Sequence, residues 1–79
     1  MRLVNEVIDV VARCLKVDRS EVNISSGLGI THKWDSLNHT NLVLELEEVF
    51  DVDFDFDELE QVITVQAIVN SLESKGIAA

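Results

Sequence analysis

Lys33-Trp34-Asp35-Ser36-Leu37-Asn38-His39-Thr40-Asn41-Leu42-Val43-Leu44-Glu45-Leu46-Glu47-Glu48-Val49-Phe50 is the stretch that decides how this sequence is read. Leu42, Val43, Leu46, Val49 and Phe50 recur at helical period and share one face, with His39 at its start. Asp35 stands where a helix cap belongs, because its carboxylate can accept from the backbone N–H of Leu37 or Asn38. A helix over Ser36–Phe50 is therefore expected, with Ser36 as its first residue. The opposite face carries Leu37 and Leu44, flanked by Thr40, Asn41, Glu47 and Glu48. Outward leucines among acids read as a docking strip. The plainer alternative tucks Leu37 under the preceding loop and leaves Leu44 an ordinary surface leucine.

Upstream, Arg2–Lys16 has a second helical pattern. Val4, Val7, Ile8, Val11, Cys14 and Leu15 share one face, with Leu3 at its edge. Its valines are poor helix formers, so packing must hold it. Residues 17–34 have no sustained period. Ser20, Asn23, Ser25, Ser26, Gly27 and Gly29 are turn chemistry, and Val22, Ile24, Leu28 and Ile30 are expected to pin a long loop to the core. Trp34 reads as a plug anchoring that loop or as a partner contact.

Downstream, Asp51–Asp57 alternates acid and apolar residues, and an extended linker is expected to enter a short helix over Phe56–Gln61, started by Asp55 or Asp57. Phe54, Leu59 and Val62 would anchor it. Thr64 reads as the cap of a last helix over Val65–Ser74, with Val65, Ile68, Val69 and Leu72 inward and Gly76 as its stop. Residues 76–79 are expected to fray. The expected fold is all-α, a four-helix bundle of three longer helices and one short one, with a long loop between the first and second, as a single domain over residues 1–79.

Composition narrows the function. At 79 residues with net charge −9, the chain is too small for a deep catalytic cleft. Its acidity argues against nucleic acid and anionic membranes as partners and favours basic proteins. Residues 45–60 hold nine acids and no base. This crowding predicts a melting temperature that rises with added salt or divalent cations. Cys14 is the only cysteine, so no internal disulfide can form, and it reads as a small buried hydrophobe. No signal peptide or membrane span is expected, and a reducing cytoplasm fits.

Metal and nucleophile chemistry find little support. In the Asp51 frame of a calcium loop, the sixth position is Phe56 and the twelfth Val62; in the Asp53 frame they are Glu58 and Thr64, so neither supplies the required Gly and Glu. His32 and His39 flank Asp35 without further Cys or His ligands, and no metal site is expected. His39 reads as a half-buried, potentially pH-sensitive residue. No Gly-x-Ser-x-Gly elbow surrounds Ser36. A helix start does offer free N–H groups and a positive dipole end, which suit a phosphate ester.

Asp35-Ser36-Leu37, the helix ending Leu46-Glu47-Glu48-Val49-Phe50, the acidic linker and Ile63-Thr64-Val65-Gln66-Ala67 together resemble an acyl carrier protein, through nearly the whole chain. The resemblance implies a non-catalytic carrier whose Ser36 holds 4′-phosphopantetheine, installed from coenzyme A by a Mg²⁺-dependent phosphopantetheinyl transferase, with Asp35 aiding loading. Acyl or aminoacyl groups would ride as thioesters to enzymes with basic docking patches, meeting Leu37, Asn41, Leu44, Glu47 and Glu48. A pocket among the helices would be lined by Leu46, Phe54, Leu59, Val62 and Ile68, with Phe54 and Leu59 leaving room for short chains. A monomer is expected.

The sequence departs from fatty-acid-synthase carriers in having Asn38 and Asn41 where acids are usual, and His32, Lys33 and Trp34 before the serine. These look more like dedicated carriers of specialised acyl or aminoacyl pathways than housekeeping members, with fatty acid biosynthesis and polyketide or other secondary-metabolite biosynthesis both kept as pathway classes. The Gly-Gly-x-Ser pattern of peptidyl carriers is missing. The competing reading is an acidic helical adaptor that binds a basic protein without a covalent cofactor. A degenerate calcium sensor is a third.

Overall fold

The computed structural model describes residues 2–77. Four helices follow in order, α1 (Arg2–Leu15), α2 (Ser36–Phe50), α3 (Phe56–Leu59) and α4 (Val65–Ser74), with one 3₁₀ turn at Arg19–Glu21 inside the long first loop. No strand occurs among the described residues; the only pairing of that kind is an isolated bridge between Gly27 and Thr64. The fold is the expected all-α bundle.

α1 packs against both α2 and α4. That double contact widens its buried arc beyond one stripe. Leu3 is fully buried rather than at an edge, and Val10 and Ala12 join Val7, Ile8, Val11 and Leu15 inside. Val4 and Cys14 are half-buried against the core. Burying each large aliphatic side chain contributes about 1.5–3 kcal/mol, which outweighs the helix-propensity cost of the valines. Burial, aided by the nearby Glu45 charge and opposed by Arg13, raises the Cys14 thiol above its usual range, so it is a poor nucleophile.

The inner faces of α2 and α4 follow the wheel with one exception. Leu42, Val43 and Leu46 are buried on α2, and Val65, Ile68, Val69 and Leu72 on α4. Val49, expected inside, is 47% exposed, while its neighbour Phe50 packs against the core. α2 then stops at Asp51 in the left-handed conformation (φ 53°), which short polar side chains tolerate.

The long loop is held mostly through its backbone. Val22 and Trp34 are buried and Leu28 half-buried, but Ile24 and Ile30, expected as pins, are exposed. Leu28 N–H donates to Ile63 C=O (2.8 Å), while Ser26 and Ile24 C=O accept from Val65 N–H (3.0 Å) and Gln66 N–H (3.1 Å). Gly27 sits where a Cβ would lie 2.8 Å from Ile63 O and 2.9 Å from Thr64 Cγ2. Only glycine lets the two segments approach so closely.

α3 ends at Leu59, two residues before the expected Gln61. Asp55 caps it, accepting from Glu58 N–H (2.9 Å), while the Glu58 carboxylate accepts from Asp55 N–H (3.1 Å). Phe54 and Val62 are buried anchors, whereas Leu59 is more than a third exposed at the rim. The Glu58 carboxylate also accepts from Lys75 Nζ (2.7 Å) and Ser71 Oγ (2.9 Å), tying α3 to α4.

Gly76 (φ 92°) donates to Glu73 C=O (3.0 Å) and Ile77 N–H to Leu72 C=O (3.0 Å). This is the glycine-stop geometry, and Ile77 packs on the core. Ala78 and Ala79 lie outside the described residues.

Candidate functional site

Ser36 is the first residue of α2, and it is exposed. The local chain explains its placement. Asp35 is extended (φ −105°, ψ −177°) and its carboxylate accepts from Asn38 N–H (2.9 Å). Thr40 Oγ1 donates to Ser36 C=O (3.1 Å), and His39 N–H donates to Asp35 C=O (2.8 Å). Among the described residues, no acceptor reaches the N–H groups of Ser36 or Leu37. The helix start therefore has free donors and its positive dipole end beside the serine hydroxyl.

A rigid platform precedes the serine. Gly27 C=O accepts from Thr31 N–H (3.0 Å), and Gly29 N–H donates to Trp34 C=O (2.9 Å). Lys33 takes a left-handed turn (φ 66°), and its C=O accepts from Asn38 Nδ2 (2.7 Å). Asn38, where an acid was usual in the resemblance, thus anchors the turn that delivers Asp35. Trp34 is 1% exposed, which selects the plug over the partner contact.

The plug has a polar partner that periodicity did not reveal. Trp34 Nε1–H donates to His39 Nδ1 (2.9 Å), and the two rings stack with centroids 6.1 Å apart. A nitrogen that accepts carries no proton, so neutral His39 keeps its proton on Nε2. Nε2 is buried with no partner among the described residues. Burial holds the imidazole pKa below its usual value.

His39 also lines an open groove of ≈ 270 Å³ whose other walls are Thr40, Val43, Leu44 and Glu47 of α2, Phe54 of the linker and Leu59 of α3. Of the expected pocket residues, Phe54 and Leu59 line this groove. Leu46 and Ile68 are sealed in the core, and Val62 borders a separate, more polar depression between α3 and α4. The five do not surround one cavity, because Leu46 and Ile68 lie wholly inside the core and the other three border two different depressions.

On the outward face, Leu37 is 73% and Leu44 60% exposed, so Leu37 does not tuck under the loop. Asn41 and Glu48 are exposed beside them. Glu47 is half-buried and its carboxylate accepts from Phe54 N–H (2.9 Å), holding the linker against α2. No helix among the described residues is long and apolar enough to cross a membrane.

Comparison with known proteins meets this geometry. Residues 5–72 match the family model described as a phosphopantetheine attachment site. The chain is similar to the acyl carrier protein of Campylobacter concisus, 36% identical over 76 residues, covering 96% of this chain and 99% of that protein. It is also similar to the acyl carrier protein of Amoebophilus asiaticus, 34% identical over 70 residues, covering 89% of this chain and 88% of that one.

Proposed function

Because the chain belongs to the acyl carrier protein family, a non-catalytic carrier with a covalent 4′-phosphopantetheine, we propose that Ser36 is the attachment point of that group. The arm supplies a terminal thiol on which acyl groups are held as thioesters. One observation carries the assignment. Ser36 is exposed at the open start of α2, inside the matched residues 5–72. The residues fit a phosphate ester there, since free backbone N–H groups and the dipole of a 15-residue helix favour its negative charge. Asp35 holds the helix start in place, and its exposed carboxylate is available to the transferase's Mg²⁺.

Leu37, Asn41, Leu44 and Glu48 form the docking face for the transferase and for acyl-loading and acyl-transferring enzymes with basic patches. Exposed leucines beside exposed acids support this reading. Glu47 serves mainly inside the molecule, through its bond to Phe54. The cargo site is the groove walled by Leu44, Phe54 and Leu59, which shares Leu44 with the docking face. Its ≈ 270 Å³ lies near the low end of the about 300–1,000 Å³ common for ligand pockets, which supports a small cargo. Specialised metabolism rather than housekeeping fatty acid synthesis is the pathway class, supported by Asn38 and the Trp34–His39 pair at the serine. The carrier acts as a cytoplasmic monomer. Its net charge of −9 disfavours self-association, nucleic acid and anionic lipid alike.

The test is intact mass after incubation with coenzyme A, Mg²⁺ and a broad-specificity phosphopantetheinyl transferase. Wild type gains one phosphopantetheinyl mass and Ser36→Ala gains none. An unmodified wild type beside a control carrier that loads would favour the cofactor-free adaptor.

A further inference from the structure

One buried polar atom has no task in the fold. Buried N–H groups are nearly always paired, because leaving one unpaired forfeits the hydrogen bond it made to water. His39 Nε2 is buried without a partner among the described residues, while the same ring's Nδ1 is committed to Trp34 at 2.9 Å. A half-turn of the imidazole would break that bond and leave the Trp34 N–H facing a ring carbon. The neutral ring is thus held in one orientation and one tautomer, with a single donor left over. It lines the groove one helical turn from Ser36.

We propose that His39 is a binding residue for the tethered group, its Nε2–H donating to a carbonyl oxygen that lies in the Leu44–Phe54–Leu59 groove. This rests on Ser36 being the attachment point. The partner must be an acceptor, since Nε2 carries the proton, and it must be uncharged or weakly charged, since Glu47 lines the same groove. A carbonyl satisfies both conditions, and a saturated alkyl chain satisfies neither the donor nor its lost hydration. His39 therefore favours carbonyl-bearing groups over bare hydrocarbon in the groove. Trp34 is the positioning residue, since its bond to Nδ1 selects the tautomer with the proton on Nε2.

Carbonyl oxygens occur both in the amides of the arm and in acyl cargo, and the experiment separates the two. Full-length protein with ¹⁵N-labelled histidine is followed by long-range ¹H–¹⁵N spectra in three states, namely apo, holo with a free thiol, and loaded with a short 3-oxoacyl or a saturated acyl thioester. Intact mass is recorded on each sample. A displaced Nε2 resonance already in the holo form assigns the acceptor to the arm. Displacement only on acylation, larger for the 3-oxoacyl form, assigns it to the cargo. Loaded protein whose Nε2 resonance stays at its apo position in every state overturns the proposal while leaving Ser36 as the attachment point. Absence of any mass gain on wild type overturns both. His39→Phe keeps an aromatic ring against Trp34 without a donor, and His39→Gln restores a donor. The rise in melting temperature on loading should vanish in the first and return at least in part in the second. Equal rises in wild type and His39→Phe would also overturn the proposal.

Discussion

The starts of α2 and α4 are made from the same parts and finished differently. Each has a short polar cap, Asp35 and Thr64, whose side chain accepts from the third helical N–H at 2.9 and 3.0 Å. At α4 the remaining donors of the first turn, Val65 and Gln66, are closed by carbonyls of the long loop. At α2 the same two positions, Ser36 and Leu37, stay open to solvent. A closed helix start is structural, because all its donors are spent within the fold. An open one keeps its N–H groups and dipole available for a negatively charged group. The long loop makes the difference, sealing one helix with residues 24–28 and presenting the other with residues 33–35.

The contrast can be broken most severely at Gly27. Gly27→Ala places a methyl against Ile63 O and Thr64 Cγ2 at under 3 Å, and backbone cannot yield as a flexible side chain does. A loss of about 1–3 kcal/mol in urea unfolding is expected, with Ser36 still loaded in the folded fraction. An unchanged midpoint would mean that the loop does not seal α4.

The two caps sharpen it next. Thr64→Ala and Asp35→Ala should each cost about 1 kcal/mol in the same unfolding experiment. They should part in a loading time course. Thr64→Ala loads at the wild-type rate, while Asp35→Ala loads about tenfold more slowly, a barrier change of about 1.4 kcal/mol. Equal loading rates would remove the distinction between a structural and a functional cap.

The smallest effect is the dependence of stability on acid. Folded His39 has its pKa lowered by burial, so its contribution is complete above the ordinary value of 6.5 and is lost as pH falls below it. Glu58 is held down to about 2 from 4.5, chiefly by its hydrogen bond to Lys75, then by those to Asp55 N–H and Ser71. Its contribution is complete above 4.5 and is lost as pH falls toward 2. Melting temperature against pH should decline in two stages. His39→Gln should flatten the first and Glu58→Gln the second. A single stage unaffected by His39→Gln would show that the α2 end is not acid-sensitive.

Much of this was legible from local pattern. The three long helices follow from period, and Asp35, Thr64 and Gly76 mark ends because capping acts within a few residues. What the pattern missed is set by the path of the loop. Leu3 reads as an edge residue until α1 meets helices on two sides. Ile24 and Ile30 look like anchors, yet the loop is held by its carbonyls, and backbone bonds leave no mark on residue type. Trp34 and His39 are each conspicuous in the sequence, but their bond depends on the left-handed turn at Lys33 that swings the indole inward. Glu47 looks like any acid of a docking face until the linker places Phe54 N–H against it. The expected pocket drew on inward-facing residues, whereas the groove formed at the rim, where Leu44 and Leu59 are exposed.

The account turns on the open start of α2 being the place of attachment. Tandem mass spectrometry of protease-digested, transferase-loaded protein tests it most directly. The predicted result is phosphopantetheine on Ser36 alone. Modification of Ser20, Ser25, Ser26, Ser71 or Ser74 in its place, or no modified peptide while a control carrier is loaded, would contradict it.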